Sequence, residues 1–107
     1  MTPNEYQKLA MRTAGTEDKE RLLVNGALGI CGEAGEVADL IKKTAFQGHS
    51  LDVEHLVEEC GDCCWYLAIL CEAVGTTLET VMTMNIDKLK RRYPNGFSTE
   101  RSINREE

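Results

Sequence analysis

Four carboxylates stand out for their spacing. Two residues separate Glu33 from Glu36, and two separate Glu59 from Asp62. In a helix, positions three apart share a face about one turn apart, so each pair projects together from a segment that otherwise reads as helix core. Packed antiparallel, two such helices bring the four together. Unpaired carboxylates repel one another and are costly to desolvate, so such a cluster implies a hard cation. An all-oxygen donor set suits Mg²⁺ or Mn²⁺.

The elements that must carry these residues can be read from helix signals. Pro3, preceded by Thr2 as a cap, opens a helix expected to run to Ala14, with Tyr6, Leu9, Ala10 and Thr13 at helical spacing. Gly15-Thr16 breaks it. A second helix is predicted from near Asp18 to about Phe46, with Leu23, Ala27, Ile30, Ala34, Val37, Ala38 and Ile41 as its inward stripe. Gly26, Gly29, Gly32 and Gly35 punctuate it, each at a cost of roughly 1 kcal/mol relative to Ala. Their recurrence points to a close neighbouring backbone, a bend, or room for a ligand. Gln47 to Ser50 reads as a turn, and Ser50 or Asp52 caps a third helix that ends at Gly75. Residues 60–71 are apolar nearly all round, which makes this helix central. Thr76 or Thr77 caps a fourth helix to about Arg92, with Leu78, Val81, Met82, Ile86 and Leu89 expected inward. Pro94-Asn95-Gly96 ends it, and residues 98–107 read as a polar tail open to fraying. The expectation is an all-α, four-helix bundle-like single domain over residues 1–107.

With 107 residues, the chain fits one domain that still has apolar surface to share with a copy of itself. Its net charge of −6 argues against a polymeric nucleic-acid partner, whose binding surface would be basic. The longest apolar run, 63–71, is too short to span a bilayer, so no membrane partner is expected. Five cysteines, an odd number, and no signal-like segment read as a reduced, cytoplasmic setting.

The chain resembles the MazG-like all-α NTP pyrophosphohydrolases. The resemblance rests on Glu33-x-x-Glu36, a spacer of 22 residues and Glu59-x-x-Asp62. Around these stand Gly32-Glu33-Ala34-Gly35-Glu36-Val37, Lys42-Lys43, Trp65-Tyr66-Leu67-Ala68, and Asn85-x-x-Lys88-Leu89-x-x-Arg92-Tyr93-Pro94-x-Gly96-Phe97. It extends from about Tyr6 to Phe97; Cys60, where an aliphatic residue is more usual, is a departure without consequence. The resemblance implies Mg²⁺-dependent hydrolysis of a nucleoside triphosphate to monophosphate and pyrophosphate in nucleotide-pool housecleaning. It implies Glu33, Glu36, Glu59 and Asp62 as metal ligands, and Asn85, Lys88, Arg92 and Tyr93 as triphosphate contacts. It also implies a homodimer or homotetramer with sites near subunit contacts. Either Glu36 or Glu59 could accept the proton of the attacking water.

Each of these residues also has a plainer reading. Carboxylate pairs three apart are common on solvated helix faces, and cations near a helix C-terminus are favoured by the dipole. Glu58 and Asp39 read as solvent-facing. Cys60-x-x-Cys63 lacks a second ligand pair for zinc, so Cys60, Cys64 and Cys71 read as core. His55, one turn before Glu59, and His49, in the turn, default to surface or capping positions. Gln7 and Trp65 are candidate base contacts, with surface glutamine and core aromatic as defaults; Tyr66 shares the aromatic default. A di-iron carboxylate bundle would want His three residues after a ligand Glu, which neither Glu33 nor Glu59 has. A non-catalytic nucleotide-binding regulatory module is the other alternative, against which the intact carboxylate set and Lys88 argue.

Overall fold

Each helix begins where a side chain takes up an otherwise unpaired backbone N–H. Thr2 accepts from Glu5, Asp18 from Arg21, Asp52 from His55, Thr77 from Thr80 and Ser98 from Arg101. The computed structural model describes residues 1–105. These caps open α1 (Pro3–Ala10), α2 (Lys19–Phe46), α3 (Val53–Val74), α4 (Leu78–Arg92) and α5 (Thr99–Ile103), with a 3-10 turn at Met11–Thr13. Gly75 ends α3 at φ 75°, a left-handed conformation that favours glycine. The chain is all-α and bundle-like, and no strand forms among the described residues.

One boundary differs from expectation. The first α-helix stops at Ala10 because the Trp65 indole N–H donates to the Ala10 carbonyl at 3.1 Å and to Thr13 Oγ1 at 3.0 Å. Within the polar tail, Thr99–Ile103 form α5. Arg101 donates from Nε to the Arg92 carbonyl and from Nη2 to the Arg91 carbonyl, so α5 closes the C-terminal end of α4. Glu106 and Glu107 lie outside the described residues.

Helices α2 and α3 pair antiparallel: Gly26 meets Leu70, Gly29 meets Tyr66, and Glu33 meets Glu59. A Cβ on Gly29 would lie 2.0 Å from the Tyr66 ring, so the ring rests on bare α2 backbone. Beside Gly32 and Gly35 nothing lies within 4 Å. Close approach therefore accounts for the first two glycines of the series and not for the last two.

Gln7 joins α1 to the α3–α4 junction. Its amide nitrogen donates to Glu72 Oε1 and to the Thr76 carbonyl, both at 3.0 Å, and its oxygen accepts from the Leu78 N–H at 2.8 Å. Ala10, Ala68, Cys71 and Leu78 form the adjoining core, with Tyr6 and Trp65 packed against it.

The path turns by 100° between α3 and α4. Leu78 is buried, but every residue from Glu79 to Asp87 is exposed. The expected inward positions Val81, Met82, Ile86 and Leu89 are 38–50% exposed, a correction to the sequence reading. The α2 stripe is corrected likewise: Leu23, Ala27, Ala34, Ala38 and Ile41 are exposed, because α2 has one long neighbour, α3, and only the side facing it is covered. Cys71 is core as expected, whereas Cys60 and Cys64, four apart on α3, are exposed. The radius of gyration is 16.8 Å, against about 13 Å for a compact chain of this length. Among the described residues no single helix is long and apolar enough to cross a membrane.

Candidate metal centre

Antiparallel pairing delivers the carboxylates. Oxygens of Glu33 on α2 and of Glu59 and Asp62 on α3 lie within 4.8 Å of one another. Glu59 is 8% exposed, Glu33 half-buried and Asp62 exposed, so the trio forms a shelf with Glu59 at its floor. Glu36 is exposed and stands outside the trio, one turn along α2.

The electrostatics are those of crowded acids. Glu33 is pushed up to about 7, first by its hydrogen bond to Glu59, then by desolvation and by the charges of Glu59, Asp62 and Glu36. Glu59 Oε1 lies 3.0 Å from His55 Nε2. Its other oxygen, Oε2, is buried and, apart from a proton on Glu33, has no donor among the described residues. A buried carboxylate oxygen without a partner is costly, and a cation removes that cost. The donor set is all oxygen, which fits a hard divalent ion. Glu33, Glu59 and Asp62 can therefore hold a metal.

Neighbouring groups frame the shelf. The Tyr6 hydroxyl, 3.5 Å from the Gly61 carbonyl, ties α1 to α3 between Glu59 and Asp62; burial, then Cys64 and Asp62, raise its pKa. Asp39 binds Lys43 at 2.9 Å and Lys42 at 3.4 Å, and these pairs, Lys43 first, hold its carboxyl below the usual range. Burial raises the Cys63 thiol, with Cys60 and Glu33 adding to it.

The other candidates are placed apart. Asn85 is exposed, and Lys88, Arg92 and Tyr93 are half-buried on α4 or at its end; Tyr93 lies against Phe97 with ring centroids 5.3 Å apart. Asp62 lies about 18 Å up α3 from its C-terminus and Lys88 about 15 Å out along α4, by a rise of 1.5 Å per residue. Across a 100° turn the two sets do not meet within one copy. Gln7, a candidate base contact, is 6% exposed, and both ends of its amide are engaged within the chain. Trp65, with its N–H committed to Ala10 and Thr13, takes its default place beside the core, and Tyr66 lies on Gly29. His49 is exposed in the turn. The residue that sequence reasoning undervalued is His55; its spacing of four before Glu59 is the signal, because it puts the two on one helix face.

The fold is all-α, and its two long helices bring together acidic side chains that could hold a metal. The chain belongs to the MazG nucleotide pyrophosphohydrolase domain family, whose pattern matches residues 25–97. It is also 33% identical over 87 residues to the Gene 37 protein of Mycobacterium phage L5, covering 78% of this chain and 76% of that protein. No solved structure matches significantly. The family is one of nucleotide pyrophosphohydrolases, so a nucleotide substrate and a hydrolase follow in general terms.

Proposed function

We propose that this chain hydrolyses a nucleoside or deoxynucleoside triphosphate to the monophosphate and pyrophosphate with Mg²⁺, or Mn²⁺ in its place, as a nucleotide-pool housecleaning enzyme in the cytoplasm. The observation that carries the reading is Glu59, a buried carboxylate clustered with Glu33 and Asp62 whose Oε2 has no hydrogen-bond partner among the described residues. Glu33, Glu59 and Asp62 would hold the metal, with Glu36, one turn along α2, as the remaining carboxylate of the set. The metal, when bound, offsets phosphate charge and lowers the pKa of the attacking water. In the reaction, water attacks the α-phosphorus, the bond to the α–β bridging oxygen breaks, and pyrophosphate leaves with those electrons. Glu36, exposed and outside the trio, is the better placed proton acceptor, since Glu59 is already occupied by His55.

Asn85, Lys88, Arg92 and Tyr93 contact the triphosphate in this reading, and they do so from a second copy of the chain. Three features support a homodimer, or a tetramer built from dimers. The apolar α4 residues Val81, Met82, Met84, Ile86 and Leu89 are uncovered. The chain is extended for its length. Residues 88–105 carry six Lys and Arg against one Glu, whereas residues 1–87 are strongly acidic. A basic helix end from one copy and an acidic shelf on the other complement each other, with the phosphates between.

The deciding experiment is pyrophosphate release from a panel of NTPs and dNTPs with Mg²⁺, Mn²⁺ or EDTA. Release that requires metal and is abolished by Glu59→Gln is expected, and the panel identifies the base. No release from any nucleotide by folded protein with Mg²⁺ would overturn the reading in favour of a binding module.

A further inference from the structure

His55 lies outside the carboxylate trio, yet it is joined to the member at its floor. Its Nε2 is 3.0 Å from Glu59 Oε1, while the oxygen left over, Oε2, is the buried one without a donor. One oxygen is tied to His55 and the other is left without a partner. The local sequence explains how this arises. Asp52 caps α3 and accepts the His55 N–H at 3.0 Å, which places His55 in the first turn. A Glu or Gln at that position commonly reaches back to the cap residue. Histidine here reaches forward instead, one turn along the face, to Glu59.

We propose that His55 is a positioning residue for the metal centre. By donating from Nε2 to Oε1 it fixes the Glu59 side chain and leaves Oε2 for the cation, and it thereby raises the affinity of the trio for a divalent cation. The proposal rests on the metal reading above. The His55 side chain is 46% exposed, so its truncation removes little packing. A loss on substitution therefore reports the hydrogen bond.

The test is Mn²⁺ binding to the full chain without nucleotide, followed by electron paramagnetic resonance or calorimetry. Loss of an outer hydrogen-bond partner of a metal ligand typically costs about 10- to 100-fold in affinity, and His55→Ala is expected to show a loss in that range. His55→Gln, whose amide N–H can reach the same oxygen, is expected to restore near-normal affinity. Thermal melting of both variants without metal should match the unsubstituted chain, while Glu59→Gln should bind no Mn²⁺. Normal affinity in His55→Ala would overturn the proposal and leave the metal reading intact, as would a His55→Gln variant as weak as His55→Ala. If the unsubstituted chain itself binds no Mn²⁺, the metal reading fails and the proposal with it.

Discussion

The Glu33 carboxyl is pushed up to about 7, first by its hydrogen bond to Glu59 across the α2–α3 seam, then by desolvation and the neighbouring acidic charges. The direction has a consequence for stability. A carboxyl whose folded pKa is raised favours the folded state while protonated. Its contribution is complete below about pH 4.5 and is lost as pH rises through about 7. Bound metal replaces the proton and reverses that loss. The increase in melting temperature caused by Mg²⁺ or Mn²⁺ should therefore grow between pH 5 and pH 8, and Glu33→Gln should remove the dependence. A metal-induced increase that is flat across that range would refute the assignment. Gln7 makes a second prediction. Gln7→Ala leaves the Glu72 carboxylate and the Leu78 N–H without their partner and should cost about 2 kcal/mol by denaturant unfolding, with the order of preferred nucleotides unchanged. The carboxylates were legible as residues because ligand chemistry restricts the types and a helix restricts the spacing. Gln7 was not, because its partners Glu72, Thr76 and Leu78 come from 65 or more positions away.

The helices themselves were legible where their signals are local. Asp18, Asp52, Thr77 and Gly75 act within a few residues of themselves, and the ends of α2, α3 and α4 fall where those residues put them. Which face of a helix is covered depends on its neighbours, and there the inward stripes expected for α2 and α4 failed. The glycines of α2 separate the two kinds of information. Gly29→Ala drives a methyl into the Tyr66 ring and should destabilise the chain by about 1–3 kcal/mol. Gly32→Ala meets nothing and should stabilise α2 by up to about 1 kcal/mol. If Gly32 leaves room beside Glu33 for phosphate or a second copy, the same substitution lowers turnover. Chemical unfolding and pyrophosphate release on the two variants decide the matter. Equal stabilities would contradict the Gly29–Tyr66 contact, and full activity in Gly32→Ala would remove the reason offered for that glycine.

For the molecule as a whole, the separation of Lys88 from the carboxylates yields a complementation test. Lys88→Ala and Glu59→Gln copies are each expected to be inactive. If Lys88 serves the shelf of another copy, mixed dimers regain one intact site, and an equal mixture recovers about a quarter of full activity after random exchange. No recovery in exchanging dimers would place Lys88 in the site of its own chain or outside any site. A charge on the exposed face of α4, such as Ile86→Asp, should give monomers by light scattering together with loss of activity. A dimer of unchanged mass would show that α4 is not its contact.

A single copy grips α4 by little more than Leu78 and the hydrogen bonds around Gln7 and Asn4. What the rest of the helix lies on must then be supplied by encounter, and encounter depends on how many copies are present. In the dimer reading, output per molecule is not constant: it falls on dilution and rises as the protein accumulates. A cell making a few copies gains little from them, and output per copy climbs gradually with abundance as the dimer fills. The 100° turn at Gly75 would then make activity depend on dosage, with no regulator required.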